Sequence, residues 1–304
     1  MNKNVLIQSR IGGRSENQDF FGSSKTPLGD LIIVCDGMGG HNGGRHAAEL
    51  AVKTIIEKFE NSTSDRPAYS LQTAIEKANA LIWEESNSNP QLKGMGTTVV
   101  ALLITDERAI CCHVGDSRLY QIRNEKIIHR TFDHSHVFEL VRLGILTEEQ
   151  ARLSEKSNII TRALGIKPTV EVEITDKLAY KKGDRFLLCT DGIWGLVPEV
   201  ELVEMISQKS AIESVLNQLV EKIDSIGFEE AGKHDNLTAA VIEMETNSKF
   251  QIEKTKQIIT KRKWIIYLIL TLGAVLLILN FCFLRKGNTA TVKPAIETKT
   301  KNKS

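Results

Sequence analysis

Residues 31–40 read Leu-Ile-Ile-Val-Cys-Asp-Gly-Met-Gly-Gly. The apolar run from Leu31 to Cys35 has no alternation, which predicts a strand buried on both faces. It stops at Asp36, where a carboxylate is poorly placed for packing and well placed for chemistry. Gly37, Gly39 and Gly40 let the backbone turn tightly and approach a ligand closely. An Asp-Gly pair also suits an ordinary turn, so this stretch alone leaves both readings open. The design recurs 155 residues on, where Phe186–Thr190 (Phe-Leu-Leu-Cys-Thr) is followed by Asp191-Gly192. Two buried strands that each deliver an Asp-Gly to a sheet end raise the prospect of a shared site.

Working outward, Val5–Ile11 reads as a first strand leading into a polar loop, Gly12 to Asp19, that holds Arg14 and a further acid, Asp19. A solvated turn would look the same. A guanidinium in such a loop can also grip a phosphate with its planar fork of donors. His41 follows Asp36 in the Gly-rich turn. Helical periodicity then places Ala48, Ala51, Val52, Ile55 and Phe59 on one face, and a second amphipathic helix is predicted over Ser70–Glu85. Thr97–Thr105, Ala109–Val114, Arg118–Arg123 and Lys126–Arg130 read as strands, with a hairpin turn at Asn124-Glu125. Asp116 falls in a Gly-containing break among them. Residues 136–160 read as short helices, one opening on a capping box at Thr147, either as a mobile flap or as a simple helix pair. Strands are predicted at Val170–Thr175, Arg185–Thr190 and Leu237–Ile242, helices at Glu199–Ser207 and Ala211–Ile226, and Asp235 lies in the polar break before the last strand. Strands, then helices, then strands, without regular alternation, predict an α+β fold of antiparallel sheets covered by helices.

Charge is unevenly placed. Residues 249–304 hold 12 Lys and Arg against 2 Glu, leaving 27 basic and 36 acidic residues in 1–248. An acidic domain argues against nucleic acid as a partner. The five cysteines show neither CxxC nor Cys/His zinc spacing and read as buried, reduced thiols. No GxSxG and no cysteine in an electropositive loop offers a nucleophile. What remains is a set of acids, Asp19, Asp36, Asp116, Asp191 and Asp235, drawn from loops and strand ends across the chain. All-oxygen ligands suit Mn²⁺ or Mg²⁺, and neighbouring carboxylates repel unless a cation lies among them. Such ions lower the pKa of water enough to supply hydroxide near neutral pH. Arg14 could then orient a phosphate, and His41 could protonate the departing alkoxide.

These residues sit in motifs that resemble the metal-dependent serine/threonine phosphatases of the type 2C (PPM) family, in its compact bacterial branch. In order they are RSENQD at 14–19, VCDGMGGH at 34–41, GMGTT at 94–98, HVGDSRLY at 113–120, DHS at 133–135, ITRALG at 160–165, LLCTDGIW at 187–194 and HDNLTAAVI at 234–242. The resemblance implies a four-layer αββα sandwich with two catalytic metal ions at one end. Asp36 would bridge them, Gly37 would contribute its carbonyl oxygen, and Asp191 and Asp235 would complete one shell. Asp116 matches the acid of a third, weaker ion. Arg14 matches the phosphate-gripping arginine, His41 the general acid, and Asp19 an acid that holds a metal-associated water. Gln18 stands where some members carry Glu, which puts direct metal contact there in doubt. The expected substrates are phosphoserine and phosphothreonine in proteins, with a serine/threonine kinase as counterpart. A phosphatase dedicated to one regulator, or a non-catalytic binding module on the same fold, are the alternatives.

The family-like region ends near residue 245. Residues 246–263 read as a basic linker suited to anionic lipid. Residues 264–283 (WIIYLILTLGAVLLILNFCF) carry no charge and at 1.5 Å per residue span roughly 30 Å, a bilayer core. Trp264 and Tyr267 lie near one end, where interfacial aromatics belong. Residues 284–304 form a short polar tail. Flanking lysines and arginines, the N-terminus without a secretory signal, and the thiols predict a single-pass anchor in the cell membrane with the catalytic domain cytoplasmic.

Overall fold

The computed structural model describes residues 3–39, 43–230 and 232–245. His41, the linker 246–263, the apolar segment 264–283 and the tail 284–304 lie outside the described residues. Among the described residues no helix is long and apolar enough to cross a membrane.

The chain opens with β1 (Lys3–Arg10), β2 (Phe20–Thr26), β3 (Gly29–Cys35) and the short β4 (Gly37–Met38). Helices α1 (Gly43–Glu60) and α2 (Pro67–Ser88) follow, then β5 (Gly96–Thr97), β6 (Val99–Ile104), β7 (Ala109–Val114), β8 (Arg118–Arg123) and β9 (Lys126–Arg130). After α3 (His136–Arg142) and α4 (Glu148–Arg152) come β10 (Glu173–Leu178), β11 (Arg185–Cys189), α5 (Asp191–Trp194), α6 (Glu199–Ile206), α7 (Ile212–Glu230) and β12 (Leu237–Met244). One antiparallel sheet runs β1-β12-β11-β8-β9 and the other β10-β7-β6-β3-β2, while β4 pairs with β5.

The unbroken apolar run in β3 is explained by its two faces. Leu31, Ile33 and Cys35 pack under α1 and α2. Ile32 and Val34 point the other way, against Phe186, Leu188, Ala240 and Ile242 of the second sheet. β11 repeats the pattern: Phe186 and Leu188 fill the space between the sheets, whereas Leu187 and Cys189 pack with Leu202, Leu219 and Ile223 of α6 and α7. Three apolar seams therefore separate four layers, helices–sheet–sheet–helices, as expected. Each fully buried Leu or Ile contributes about 1.5–3 kcal/mol, so a charge placed at Ile33 would break a seam.

Several boundaries differ from the sequence reading. β2 was not anticipated: its sequence FFGSSKT is half-buried and alternating, the pattern of an edge strand. β10 was expected at Val170–Thr175 and lies at Glu173–Leu178, because Val170 and Val172 pack against the α1/α2 seam as loop residues and pairing with β7 begins only at Glu173↔His113. The predicted hairpin turn is present, with Asn124 and Glu125 at φ 50° and 61°, both in the left-handed region that a tight hairpin requires. Thr147 and Gln150 form the predicted capping box, and 136–160 contains a helix pair.

Candidate metal centre

Sheet register brings the acids together. β11 and β12 pair antiparallel with Cys189 opposite Ala239, so the start of α5 (Asp191) and the loop before β12 (Asp235) share one end. Arg10 faces Leu237, which delivers the loop carrying Arg14 to that end. Arg118 faces Cys189, which places the Asp116 loop there. In the other sheet Cys35 pairs with Phe20, so Asp36 and Asp19 emerge side by side. The resulting cleft, of about 490 Å³, is lined by Arg14, Gln18, Asp36, Gly37, Asp116, Asp191 and Asp235, with Asn158 and Ile160 approaching from the segment after α4. Each predicted site residue that the structure describes lines it, except Asp19, which lies just beneath.

Backbone contacts fix the Asp36 turn. Its N–H donates to Thr98 Oγ1 at 2.9 Å, and its carbonyl accepts from Thr98 N–H and Thr97 Oγ1, each at 2.8 Å. Thr98 Oγ1 also meets Ser117 Oγ at 2.7 Å, linking this turn to the Asp116 loop. Gly37 has no alternative: a Cβ there would lie 2.1 Å from the Gly44 carbonyl oxygen. Asn236 pins the Arg14 loop, donating to the carbonyls of Ile11 (2.7 Å) and Glu16 (2.9 Å) and accepting from Gln18 N–H (2.8 Å). Thr97, Thr98 and Asn236 lay within quoted motifs but carried no role on sequence grounds. Their partners are too distant in the chain for spacing to reveal.

The electrostatics ask for a cation. Burial first, then the charges of Asp19 and Asp191, pushes the Asp36 carboxyl well above the usual carboxylate range. Burial raises Asp19 to about 7, against opposing hydrogen bonds from Thr238 and Thr190, and burial with the nearby charge of Asp235 raises Asp191 to about 6. Asp116 is raised by burial and then by Asp191. Asp19 accepts from Thr190 Oγ1 at 3.0 Å through one oxygen. Its other oxygen, and Asp191 Oδ1, are buried and meet no hydrogen-bond partner among the described residues. Buried polar atoms are normally satisfied, so carboxylates crowded here with unused oxygens fit hard divalent ions held by oxygen ligands. Arg14, half exposed, donates to Asp235 Oδ2 at 2.6 Å. Burial pushes the Cys35 thiol up, which leaves no thiolate for nucleophilic chemistry.

Among the described residues one further group has ligand chemistry: donor atoms of His113, His134 and Glu173 lie within 4.8 Å of one another. A metal binds in the plane of an imidazole. The two rings are stacked 4.7 Å apart and only 8° from parallel, so their planes do not converge on one ion. His134 Nδ1 accepts the Gly115 N–H at 3.1 Å, which leaves the proton on Nε2, 3.1 Å from Glu173. The group is a hydrogen-bonded clamp on the Asp116 loop.

Comparisons with known proteins bear on the family and the fold. The family model described as "Protein phosphatase 2C" matches residues 8–231. The serine/threonine phosphatase stp of Listeria monocytogenes is 35% identical over 242 residues, covering 78% of this chain and 90% of that protein. The structure of serine/threonine phosphatase Stp1 from Staphylococcus aureus is similar with a TM-score of 0.73 at 28% identity, covering 81% of this chain and 96% of that one. A structure of the PstP catalytic domain in complex with two manganese ions is similar with a TM-score of 0.67 at 27% identity, covering 80% and 99%.

Proposed function

The chain belongs to the protein phosphatase 2C family and is a serine/threonine protein phosphatase, and on that premise we propose that it hydrolyses phosphoserine and phosphothreonine at the Asp36 cleft with Mn²⁺ or Mg²⁺. The observation that carries this reading is the convergence of Asp36, Asp116, Asp191 and Asp235 on one cleft with Arg14 at its edge.

Asp36, the Gly37 carbonyl, Asp191 and Asp235 would hold two ions, and Asp116 a third. Bound there, the ions supply a nucleophilic water at neutral pH and neutralise developing charge. Arg14, whose loop is pinned by Asn236, grips the phosphoryl oxygens and aligns the phosphorus for attack. Asp19, with one oxygen free of hydrogen bonds among the described residues, accepts a hydrogen bond from a water O–H and so orients that water. As the P–O bond breaks, the seryl or threonyl oxygen needs a proton, and His41 is the general acid. Asn158 and Ile160 approach the cleft from the α4 side and contact the chain flanking the phosphoresidue.

The uncharged segment 264–283 anchors the enzyme in the cell membrane as a single span, with residues 1–245 on the cytoplasmic side and 246–263 against anionic lipid. The matching counterpart is a serine/threonine kinase acting on the same phosphoproteins. Asp191→Asn tests the metal assignment: turnover of a phosphothreonine peptide should fall about 10²-fold or more with the circular dichroism spectrum retained. Near-normal kcat would overturn it.

A further inference from the structure

We propose that Trp194 is a positioning residue of the metal centre: its indole N–H ties the Asp116 peptide to the helix that begins with Asp191, so that the two carboxylates behave as one site. The proposal rests on the metal-dependent reading above.

Trp194 Nε1 donates to the Asp116 carbonyl oxygen at 3.1 Å. Trp194 closes the single turn that Asp191 opens, and the Gly195 N–H bonds back to the Asp191 carbonyl at 2.7 Å. One short rigid turn thus carries an acid of the cleft at its start and a donor to the other acid's backbone at its end. These partners lie 78 residues apart in sequence.

The indole has little freedom. It is 4% exposed. The Arg118 guanidinium covers its face at 3.5 Å from the ring centroid, and Phe138 meets it edge-on at 6.3 Å. Arg118 is itself fixed by two 2.7 Å bonds to Asp133 and one of 2.9 Å to Tyr120 Oη. This bidentate buried pair is a far stiffer support than a surface ion pair.

The other side of Asp116 is held as firmly. Gly115 receives a bond from the His134 N–H at 2.9 Å and gives one to His134 Nδ1 at 3.1 Å. Gly115 has φ +108°, and a Cβ there would lie 2.6 Å from Thr98 Cγ2, so no other residue relaxes the turn. With the preceding peptide clamped by His134 and the β8–β11 register bringing the loop to this end, the Trp194 bond joins the Asp116 backbone directly to the turn that carries Asp191. Groups that orient ligands without touching the metal typically contribute 10–100-fold to metal affinity. Among the described residues the indole N–H makes this one hydrogen bond, and so Trp194 fits this class.

The test is Trp194→Phe in the full chain, with Phe138→Leu as a control that loosens the same apolar cluster and leaves the indole N–H in place. Calorimetric titration with Mn²⁺ should show the weakest binding step of the parent weakened 10–100-fold in Trp194→Phe and unchanged in Phe138→Leu. The Mn²⁺ concentration for half-maximal activity should rise by the same factor, with kcat at saturating Mn²⁺ kept within a few-fold. Parent tryptophan fluorescence should change on adding Mn²⁺, and Trp194→Phe should lose that change although Trp83 and Trp264 remain. Equal Mn²⁺ affinity in parent and Trp194→Phe, or an equal loss in Phe138→Leu, would overturn the positioning role while leaving the metal centre standing. A parent that binds no Mn²⁺ would overturn both.

Discussion

Arg14 Nη2 lies 2.6 Å from Asp235 Oδ2, a bond between residues 221 apart in sequence made by the side chain proposed to grip the phosphate to a carboxylate proposed to hold metal. In the protein without metal, Arg14 therefore partly neutralises Asp235, and a cation arriving there competes with it. Both side chains are more than a third exposed, at 52% and 39%, so the pair is screened and weak.

Arg14→Gln should accordingly leave Mn²⁺ affinity the same or tighter, by up to about five-fold, while KM for a phosphopeptide rises roughly ten-fold or more through loss of the bidentate grip. Calorimetry and steady-state kinetics read the two effects separately. A loss of Mn²⁺ affinity in this variant would contradict the competition.

The crowded acids make the stability of the metal-free protein fall as pH rises. Asp36 is held well above its ordinary value and Asp19 at about 7, so between about pH 4 and 7 the folded state keeps protons that the unfolded state has released. A raised carboxyl costs stability above the unfolded pKa, and the cost grows until the folded group ionises. Asp36→Asn removes one such group. In chelator, its Tm should exceed the parent's at pH 8 by roughly 3–8 °C, and the gap should close toward pH 5. Comparing the two proteins cancels the opposing effect of His113 and His134, which burial holds below the usual histidine value. With saturating Mn²⁺ at pH 8 the order should reverse. A gap that does not vary with pH would contradict the charge-crowding explanation.

The fold was legible where burial on both faces left a mark. β3 and β11 announce themselves because Ile32 and Leu188 face the second sheet while Ile33 and Leu187 face helices, which forbids polar alternation. β2 left no such mark: an edge strand with Ser23, Ser24 and Lys25 reads as loop. Val170 and Val172 suggested a strand because apolarity cannot distinguish a pleated partner from a loop packed on a helix seam. Asp36, Asp191 and Asp235 were legible as strand-end acids. What holds the loops around them was not. The bonds Trp194–Asp116, His134–Gly115 and Asn236–Gln18 join distant segments, and only the folded register brings their ends together.

His41 is assigned by its motif and lies outside the described residues. His41→Ala should lower kcat about 10²-fold on phosphothreonine peptide and much less on p-nitrophenyl phosphate, whose leaving group needs no proton. Equal losses on both substrates would remove His41 from the acid role.

The proposed membrane anchor has its own readout. The full chain should stay with the membrane pellet after an alkaline carbonate wash, and a chain ending at residue 245 should not, since an uncharged stretch of about 20 residues inserts stably. Release of the full chain into the wash would contradict a spanning segment.

Phosphate release from a phosphothreonine peptide by the full chain, titrated with Mn²⁺ after exhaustive chelation, tests the metal-centre reading most directly. Activity should be absent in chelator, return with added Mn²⁺ and stay absent when Asp191→Asn is titrated over the same range. Turnover that survives chelation, or that Asp191→Asn recovers fully at the same Mn²⁺ concentration, would contradict catalysis by metal held on these carboxylates.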